Sequence, residues 1–134
     1  MAIRVMRTRA SAAFFDAAAE GALLLSVCEG CGTARIPTED ACFSCQGTRT
    51  QSVRARGTAT LVSWSVVHRS MLPGLDAPYV VALAELAEGP WALVRLVAPP
   101  DMGFAIGDPL TLTALPASGG GEALIVAVPA EDDR

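Results

Sequence analysis

The sequence contains no lysine and only one histidine, His68. All ten basic residues are arginines, and the 14 acidic residues bring the formal net charge to -4. A general nucleic-acid binder is normally basic, because much of its affinity comes from neutralising phosphates. The charge balance therefore argues against that class. With a single histidine, a catalytic dyad built on a second histidine is also excluded.

The sequence also lacks a long uncharged apolar run. No stretch reaches the roughly 18–20 residues that a membrane-spanning helix requires. The Ala/Phe-rich segment that follows Arg4, Arg7 and Arg9 superficially resembles a secretory signal, but Asp16 and Glu20 interrupt it. We therefore expect a soluble, cytoplasmic protein. In a reducing compartment, the four cysteines indicate metal or redox chemistry rather than disulfides.

Aromatic residues are few, only seven in 134, yet 51 % of the chain is hydrophobic. That content excludes a disordered protein, and the length fits one domain or a small module attached to a compact one. The first predicted element is a helix that Thr8 or Ser11 caps and that ends near Glu20. Gly21 follows, where a left-handed residue commonly ends a helix.

Residues 22–47 are predicted to form a small hairpin module around the four cysteines. Residues 23–27 form a short strand that leads into Cys28, and residues 33–36 form the returning strand, which Pro37 stops. Residues 38–47 form a turn-rich loop that carries the second cysteine pair. A module of this size cannot bury enough apolar surface to fold alone, so we expect a metal ion to stabilise it.

The remainder of the chain predicts five strands, at residues 58–68, 79–87, 91–97, 109–115 and 122–128. Gly57, before the first strand, suits a bulge or a bend. Five strands without a major helix favour a small barrel, with the OB-fold as the leading candidate. The predicted fold is thus mainly β. An N-terminal segment (1–21), a zinc ribbon (22–47) and an OB-fold domain (48–129) precede a disordered tail (130–134).

The cysteine spacing, Cys-x2-Cys, ten residues and Cys-x2-Cys, predicts a metal site formed by Cys28, Cys31, Cys42 and Cys45. Each pair occupies one tight turn, and Gly32 and Gly47 permit the positive φ that such turns often need. Four thiolates close a tetrahedral site, which indicates a structural zinc ion rather than a catalytic one. Iron in a similar site and a redox-active cysteine pair are the alternatives.

Several short motifs occur in one order along residues 11–110, and together they carry a resemblance. They are Phe14-Phe15, Gly21-Ala22-Leu23, Cys28-Glu29-Gly30-Cys31-Gly32 with Arg35 and Pro37, Cys42-x2-Cys45, Gly57-Thr58, Val66-Val67-His68-Arg69, Pro78-Tyr79-Val80-Val81, Glu85-Leu86, Glu88-Gly89 and Ile106-Gly107. This ordered set resembles the acyl-CoA-associated family in which a rubredoxin-like zinc ribbon precedes an OB-fold (domain of unknown function thirty-five). The second knuckle departs from the family's usual Cys-Pro-x-Cys-Gly and reads Cys42-Phe43-Ser44-Cys45-Gln46.

The resemblance implies a non-catalytic accessory subunit in lipid, steroid or polyketide-type acyl-CoA metabolism. Such proteins accompany thiolase-like enzymes, lipid-transfer-protein-type aldolases or MaoC-like hydratases. We therefore expect a hetero-oligomer that binds acyl-CoA, scaffolds an enzyme partner, or does both. No nucleic-acid partner is expected, and no catalytic constellation is evident in the sequence.

Seven residues are candidates for contacts with acyl-CoA or with the partner: Phe14, Phe15, Arg54, Arg56, His68, Arg69 and Tyr79. The guanidinium groups of the arginines can form hydrogen-bonded ion pairs with a phosphate or a carboxylate. Ordinary structural roles are the competing interpretation: helix packing for the two phenylalanines and solvent exposure for the arginines and histidine. Trp64 and Trp91 are expected in the core or at the mouth of the barrel.

Two other functions remain open from the sequence. Zinc ribbons and OB-folds also bind single-stranded nucleic acid, but such grooves combine basic residues with exposed aromatic side chains. The acidic total and the seven aromatic residues make that the weaker interpretation. A free-standing enzyme that uses His68 or Tyr79 is the weakest.

Overall fold

The computed structural model describes residues 5–37, 44–71, 75–116 and 121–130. Within these ranges the chain forms one helix, α1 (Ala12–Ala19), followed by eight strands. The strands are β1 (Leu24–Cys28), β2 (Ala34–Arg35), β3 (Thr50–Arg54), β4 (Thr58–Val67), β5 (Tyr79–Leu86), β6 (Trp91–Leu96), β7 (Pro109–Leu115) and β8 (Leu124–Pro129). The predicted mainly-β class is confirmed. Of the predicted disordered tail (130–134), residues 131–134 lie outside the described ranges, while the Ala130 N–H donates to the Pro109 carbonyl at 3.0 Å.

Two hydroxyl side chains hold the turn that precedes helix α1. The Thr8 N–H donates to Ser11 Oγ at 2.8 Å, and the Ser11 N–H donates to Thr8 Oγ1 at 3.3 Å. Ser11 is the N-cap residue of α1, but its side chain makes no capping hydrogen bond to the helix. At the other end Gly21 has φ +86°, the left-handed conformation that glycine adopts without a steric penalty. The Gly21 signal is therefore confirmed, whereas the prediction that a Thr8 or Ser11 side chain caps the helix was wrong, because the two hydroxyls bond within the preceding turn instead.

The ribbon is a three-stranded antiparallel sheet with the order β2-β1-β3. Strands β1 and β2 were predicted, and they flank the first cysteine turn. Strand β3 was not predicted separately. All five of its residues are exposed, so they carry no alternation of buried and exposed positions that a sequence pattern could reveal.

The five remaining strands form a closed barrel with the order β4-β5-β6-β8-β7. In barrel order these are strands 1-2-3-5-4, with β6 and β8 parallel and the other pairs antiparallel. This topology is the OB-fold, as predicted. Gly57, with φ +88°, bends the chain before β4, while the register of β4 shifts between Leu61 and Ser63.

One core serves the ribbon and the barrel together. Leu23 and Leu25 of the ribbon region belong to the same buried cluster as Leu61, Val80 and Leu96 of the barrel. Leu25 is completely buried. Full burial of one such side chain is worth about 1.5–3 kcal/mol, so these two leucines fasten the ribbon to the barrel.

The two tryptophans do not lie in the core. Trp64 is 37 % exposed and packs edge-on against Phe104, with ring centroids 6.0 Å apart. Trp91 is 54 % exposed, and its indole N–H donates to Glu85 Oε2 at 2.8 Å. The core is instead filled by small and aliphatic side chains, many of them alanines.

Among the described residues, no helix is long and apolar enough to cross a membrane.

Candidate metal centre and partner surface

Three cysteine thiols converge at one end of the ribbon. The Sγ atoms of Cys28, Cys31 and Cys45 all lie within 4.8 Å of one another. Cys28 ends strand β1 and is buried, whereas Cys31 and Cys45 are exposed. The Sγ atoms of Cys28 and Cys45 are 3.5 Å apart, which is much longer than the roughly 2.05 Å of a disulfide bond. The structure thus brings three of the four predicted ligands together. Cys42 lies outside the described residues.

Backbone turns aim these thiols. The first turn closes when the Gly32 N–H donates to the Cys28 carbonyl at 2.9 Å, and Gly32 has φ +76°. In the second turn the left-handed residue is Gln46, with φ +63°. The expectation that Gly47 supplies the positive φ was wrong. Gly47 provides space instead, since a Cβ there would lie 3.3 Å from the Cys45 sulfur.

The environment of Cys28 favours its thiolate form. The backbone N–H groups of Cys31 and then Gly30, followed by the Cys45 thiol, lower the pKa of Cys28 from its ordinary value. Hydrogen bonds to a charged group favour the charged state, and the thiolate is the form that binds metals.

The donor set fits a tetrahedral thiolate site. Zinc–sulfur bonds of about 2.3 Å place neighbouring sulfurs about 3.8 Å apart in a tetrahedron. The 3.5 Å between Cys28 and Cys45 is close to that value. Such a site has no open coordination position once four thiolates are bound, so its contribution is to stabilise the fold.

A second feature is an apolar groove of about 610 Å³, which we call the β6–β8 groove. Its lining includes Phe14 and Phe15 of α1, residues 91–95 of β6 and residues 124–126 of β8. The two phenylalanine rings pack edge-on, with centroids 5.4 Å apart. Leu93 is 75 % exposed, so part of this surface is open to solvent. The volume lies in the range of about 300–1,000 Å³ typical of ligand sites.

Ion pairs hold the N-terminal segment against the groove. Arg7 donates to Asp16 of α1 and to Glu122 before β8, with N···O distances of 2.7 Å in both pairs. The bond to Glu122 and then the bond to Asp16 raise the pKa of the Arg7 guanidinium. The Glu122 N–H also donates to the Val5 carbonyl at 2.7 Å. Helix α1 and strand β8 are therefore connected through Arg7.

The candidate contact residues fall into three places. Phe14 and Phe15 are half-buried in the β6–β8 groove. Arg54 and Arg56 are exposed at the end of β3 and after it, and Arg54 forms an ion pair with Glu20. The third group is His68 and Arg69, exposed after β4, together with half-buried Tyr79, whose partner in the β4–β5 register is Val67.

Sequence reasoning missed the outer face of β6. The side chains of Trp91, Leu93 and Arg95 are exposed and alternate with the inward-facing Ala92 and Leu96. The signal was present, since an apolar residue on both faces of a strand indicates that the outer face is covered. In a sequence already rich in hydrophobic residues, that signal did not stand out.

The fold and the site define a class of protein: a ribbon with converging cysteine thiols joined to an OB-fold barrel. Comparison with known sequences agrees with both parts. Residues 15–51 match the rubredoxin-like zinc ribbon domain of ChsH2, and residues 52–114 match its C-terminal OB-fold domain. The chain belongs to the ChsH2 (DUF35) family.

Three similar proteins have informative descriptions. A chain of the solved "Ltp2-ChsH2(DUF35) aldolase" is 34 % identical, with a TM-score of 0.82, and the match covers 96 % of this chain and 100 % of that one. A "Probable enoyl-CoA hydratase alpha subunit" from Thermomonospora curvata is 36 % identical over 109 residues, 81 % of this chain and 34 % of the relative. A "DUF35 domain-containing scaffold protein" from Methanocaldococcus jannaschii is 34 % identical over 64 residues, 46 % of this chain and 45 % of the relative. The chain thus spans between a third and a half of the length of these two curated relatives.

Proposed function

We propose that the protein is a non-catalytic accessory subunit of an enzyme that acts on acyl-CoA, with an aldolase or a hydratase as its partner. The observation that carries this proposal is the similarity over the full length of one chain of the solved "Ltp2-ChsH2(DUF35) aldolase". The hydratase-subunit relative and the scaffold relative support the same kind of role. The apolar surface around Leu93 and Trp91 is consistent with a protein that covers part of itself with a partner.

One structural zinc ion is the second part of the proposal. Cys28, Cys31 and Cys45 would supply three thiolates, and Cys42 the fourth. The convergence of three sulfurs and the match to a zinc ribbon domain support it. The ion would hold the cysteine turns together and would take no part in a reaction.

Acyl-CoA binding is the third part. The proposed contacts, with acyl-CoA or with the partner, are Phe14, Phe15, Arg54, Arg56, His68, Arg69 and Tyr79. His68 and Arg69 are exposed beside the Tyr79 end of β5, which suits an approach by the CoA phosphates. Arg54 is the weaker anion ligand, because Glu20 already pairs with it.

Co-purification tests the role as a subunit. The tagged chain is expressed together with the reading frames that flank its gene, and the proteins that remain bound are identified by mass spectrometry. We expect an aldolase-type or hydratase-type subunit, and we expect its activity on acyl-CoA to depend on this chain. Recovery of the chain without any such enzyme would contradict the proposal. Salt-dependent binding of oligonucleotides instead would favour the nucleic-acid alternative.

A further inference from the structure

Strands β6 and β8 meet at one point and separate on one side of it. Within the described part of the chain their register contains the single pair Leu96↔Ala127, where the Val97 N–H donates to the Ala127 carbonyl at 2.8 Å. The residues that precede this pair, 91–95 on β6 and 124–126 on β8, line the β6–β8 groove. The groove therefore opens where the barrel wall is no longer hydrogen-bonded from strand to strand.

The backbone of β6 presents a hydrogen-bond donor to this opening. In an antiparallel pair, successive residues direct their N–H groups alternately toward the partner strand and away from it. The Leu86 N–H donates to the Pro90 carbonyl at 2.9 Å, so the Pro90 carbonyl points toward β5. By the alternation, the backbone N–H groups of Ala92 and Val94 point toward β5 as well. The backbone N–H of Leu93 points away from β5, to the same edge of β6 as the Val97 N–H. Among the described residues β6 is in register with β8 only at Leu96↔Ala127, so the ladder between these strands does not extend to Leu93. A strand edge outside a ladder is a template for another strand.

The charge of the groove specifies the occupant further. Arg95 is the one charged side chain among the described residues that line it, and no described carboxylate pairs with Arg95. The surrounding walls are apolar, with Phe14, Phe15 and Leu93 among them. A complementary segment would combine apolar side chains with a carboxylate opposite Arg95.

We propose that an extended segment of the partner enzyme adds to the free edge of β6 as an extra strand, with an acidic residue paired to Arg95. The mode is β-strand addition, in which main-chain hydrogen bonds provide affinity and alternate side chains provide specificity. The inference rests on the proposed function, since it requires an enzyme partner. An acyl chain would fill the apolar groove without using the Leu93 N–H.

Two substitutions at Leu93 test whether a partner strand binds to the edge of β6. Leu93→Pro removes the edge N–H and leaves the β5–β6 ladder intact, because this N–H points away from β5; proline is tolerated on such edges. Leu93→Ala removes the side chain and keeps the N–H. The probe is the enzyme subunit that co-purifies with the wild-type chain, and its dissociation constant is measured for each variant. We expect Leu93→Pro to bind about tenfold more weakly than Leu93→Ala, the size of effect that a lost main-chain bond and a poorly fitting ring produce.

Further measurements separate the outcomes. The backbone amide of Leu93 should exchange rapidly in the free chain and become protected in the complex. Arg95→Glu should weaken binding of the enzyme subunit. The control is Arg49→Glu, which changes an exposed arginine outside the groove and should leave binding unchanged. If the proline and alanine variants bind with equal affinity and the Leu93 amide is not protected, the proposed strand addition is wrong. That result would not affect the proposed role as an accessory subunit. Self-association lost in Leu93→Pro, with unchanged enzyme binding, would assign the edge to a second copy. If no enzyme subunit binds the wild-type chain, both the proposed function and this inference fail.

Discussion

At the residue scale, the second cysteine turn contains the one non-glycine residue with a positive φ in the described part of the chain. Gln46 has φ +63°, the conformation that Gly32 adopts at the equivalent place in the first turn. Left-handed backbone costs a residue with a Cβ roughly 1–2 kcal/mol, whereas glycine adopts it freely. The sequence resemblance marks this position as unusual, because glycine is common there in the family. Only the structure shows that the glutamine keeps the conformation that the glycine would adopt.

Gln46→Gly should therefore stabilise the protein. We expect the free energy of unfolding to rise by about 0.5–1 kcal/mol, since the removed strain exceeds the extra entropy of glycine in the unfolded chain. Thermal unfolding of the metal-loaded protein measures it. Gln51→Gly, the same change in strand β3, is the matched control and should destabilise. A lower melting temperature for Gln46→Gly would show that its backbone is not strained.

At the scale of elements, the ribbon depends on one cysteine cluster and on few buried side chains of its own. Strand β2 has two residues and β3 is exposed throughout. The sequence predicted the ribbon from the spacing of its cysteines, and it predicted β7 with the bounds that the structure has. It did not predict β3, because register with β1 rather than burial defines that strand. Nor did it predict the open edge of β6, since no local pattern reveals where two distant strands diverge.

Cys28→Ser should loosen the ribbon and spare the barrel. Cys28 is the buried member of the cluster, and its loss would remove a ligand from the proposed zinc ion. Hydrogen exchange should show lost protection in β2 and β3, with the amides of β4 and β5 still protected. Removal of the metal from the wild-type chain by a chelator should give the same pattern. Unchanged exchange in both cases would mean that the ribbon does not need the metal.

At the scale of the whole molecule, the ribbon and the barrel share a core, and this links the metal site to the rest of the fold. Leu25 of β1 lies in the same cluster as Leu61 and Leu96 of the barrel. The ion pairs of Arg7 connect α1 with the start of β8 at the opposite wall of the groove. The helix, the ribbon and the barrel are therefore joined to one another rather than being separate modules.

Leu25→Ala tests this coupling. The change leaves a cavity at a fully buried position, and leucine-to-alanine changes of this kind cost about 2–5 kcal/mol. Because the cluster is shared, denaturant unfolding should remain a single transition at a lower midpoint. Leu24→Ala, at the neighbouring half-buried position, should cost less. Two separate transitions in the variant would show that ribbon and barrel fold independently.

The native mass of the co-purified complex tests the proposal that this chain is a zinc-stabilised accessory subunit of an acyl-CoA enzyme. We expect a species that contains this chain, one zinc ion for each copy of it, and an aldolase-type or hydratase-type subunit. Denaturation of the same sample should release the zinc. A native mass that corresponds to the metal-free chain with no enzyme subunit bound would show that the chain is neither a zinc protein nor a subunit of such an enzyme.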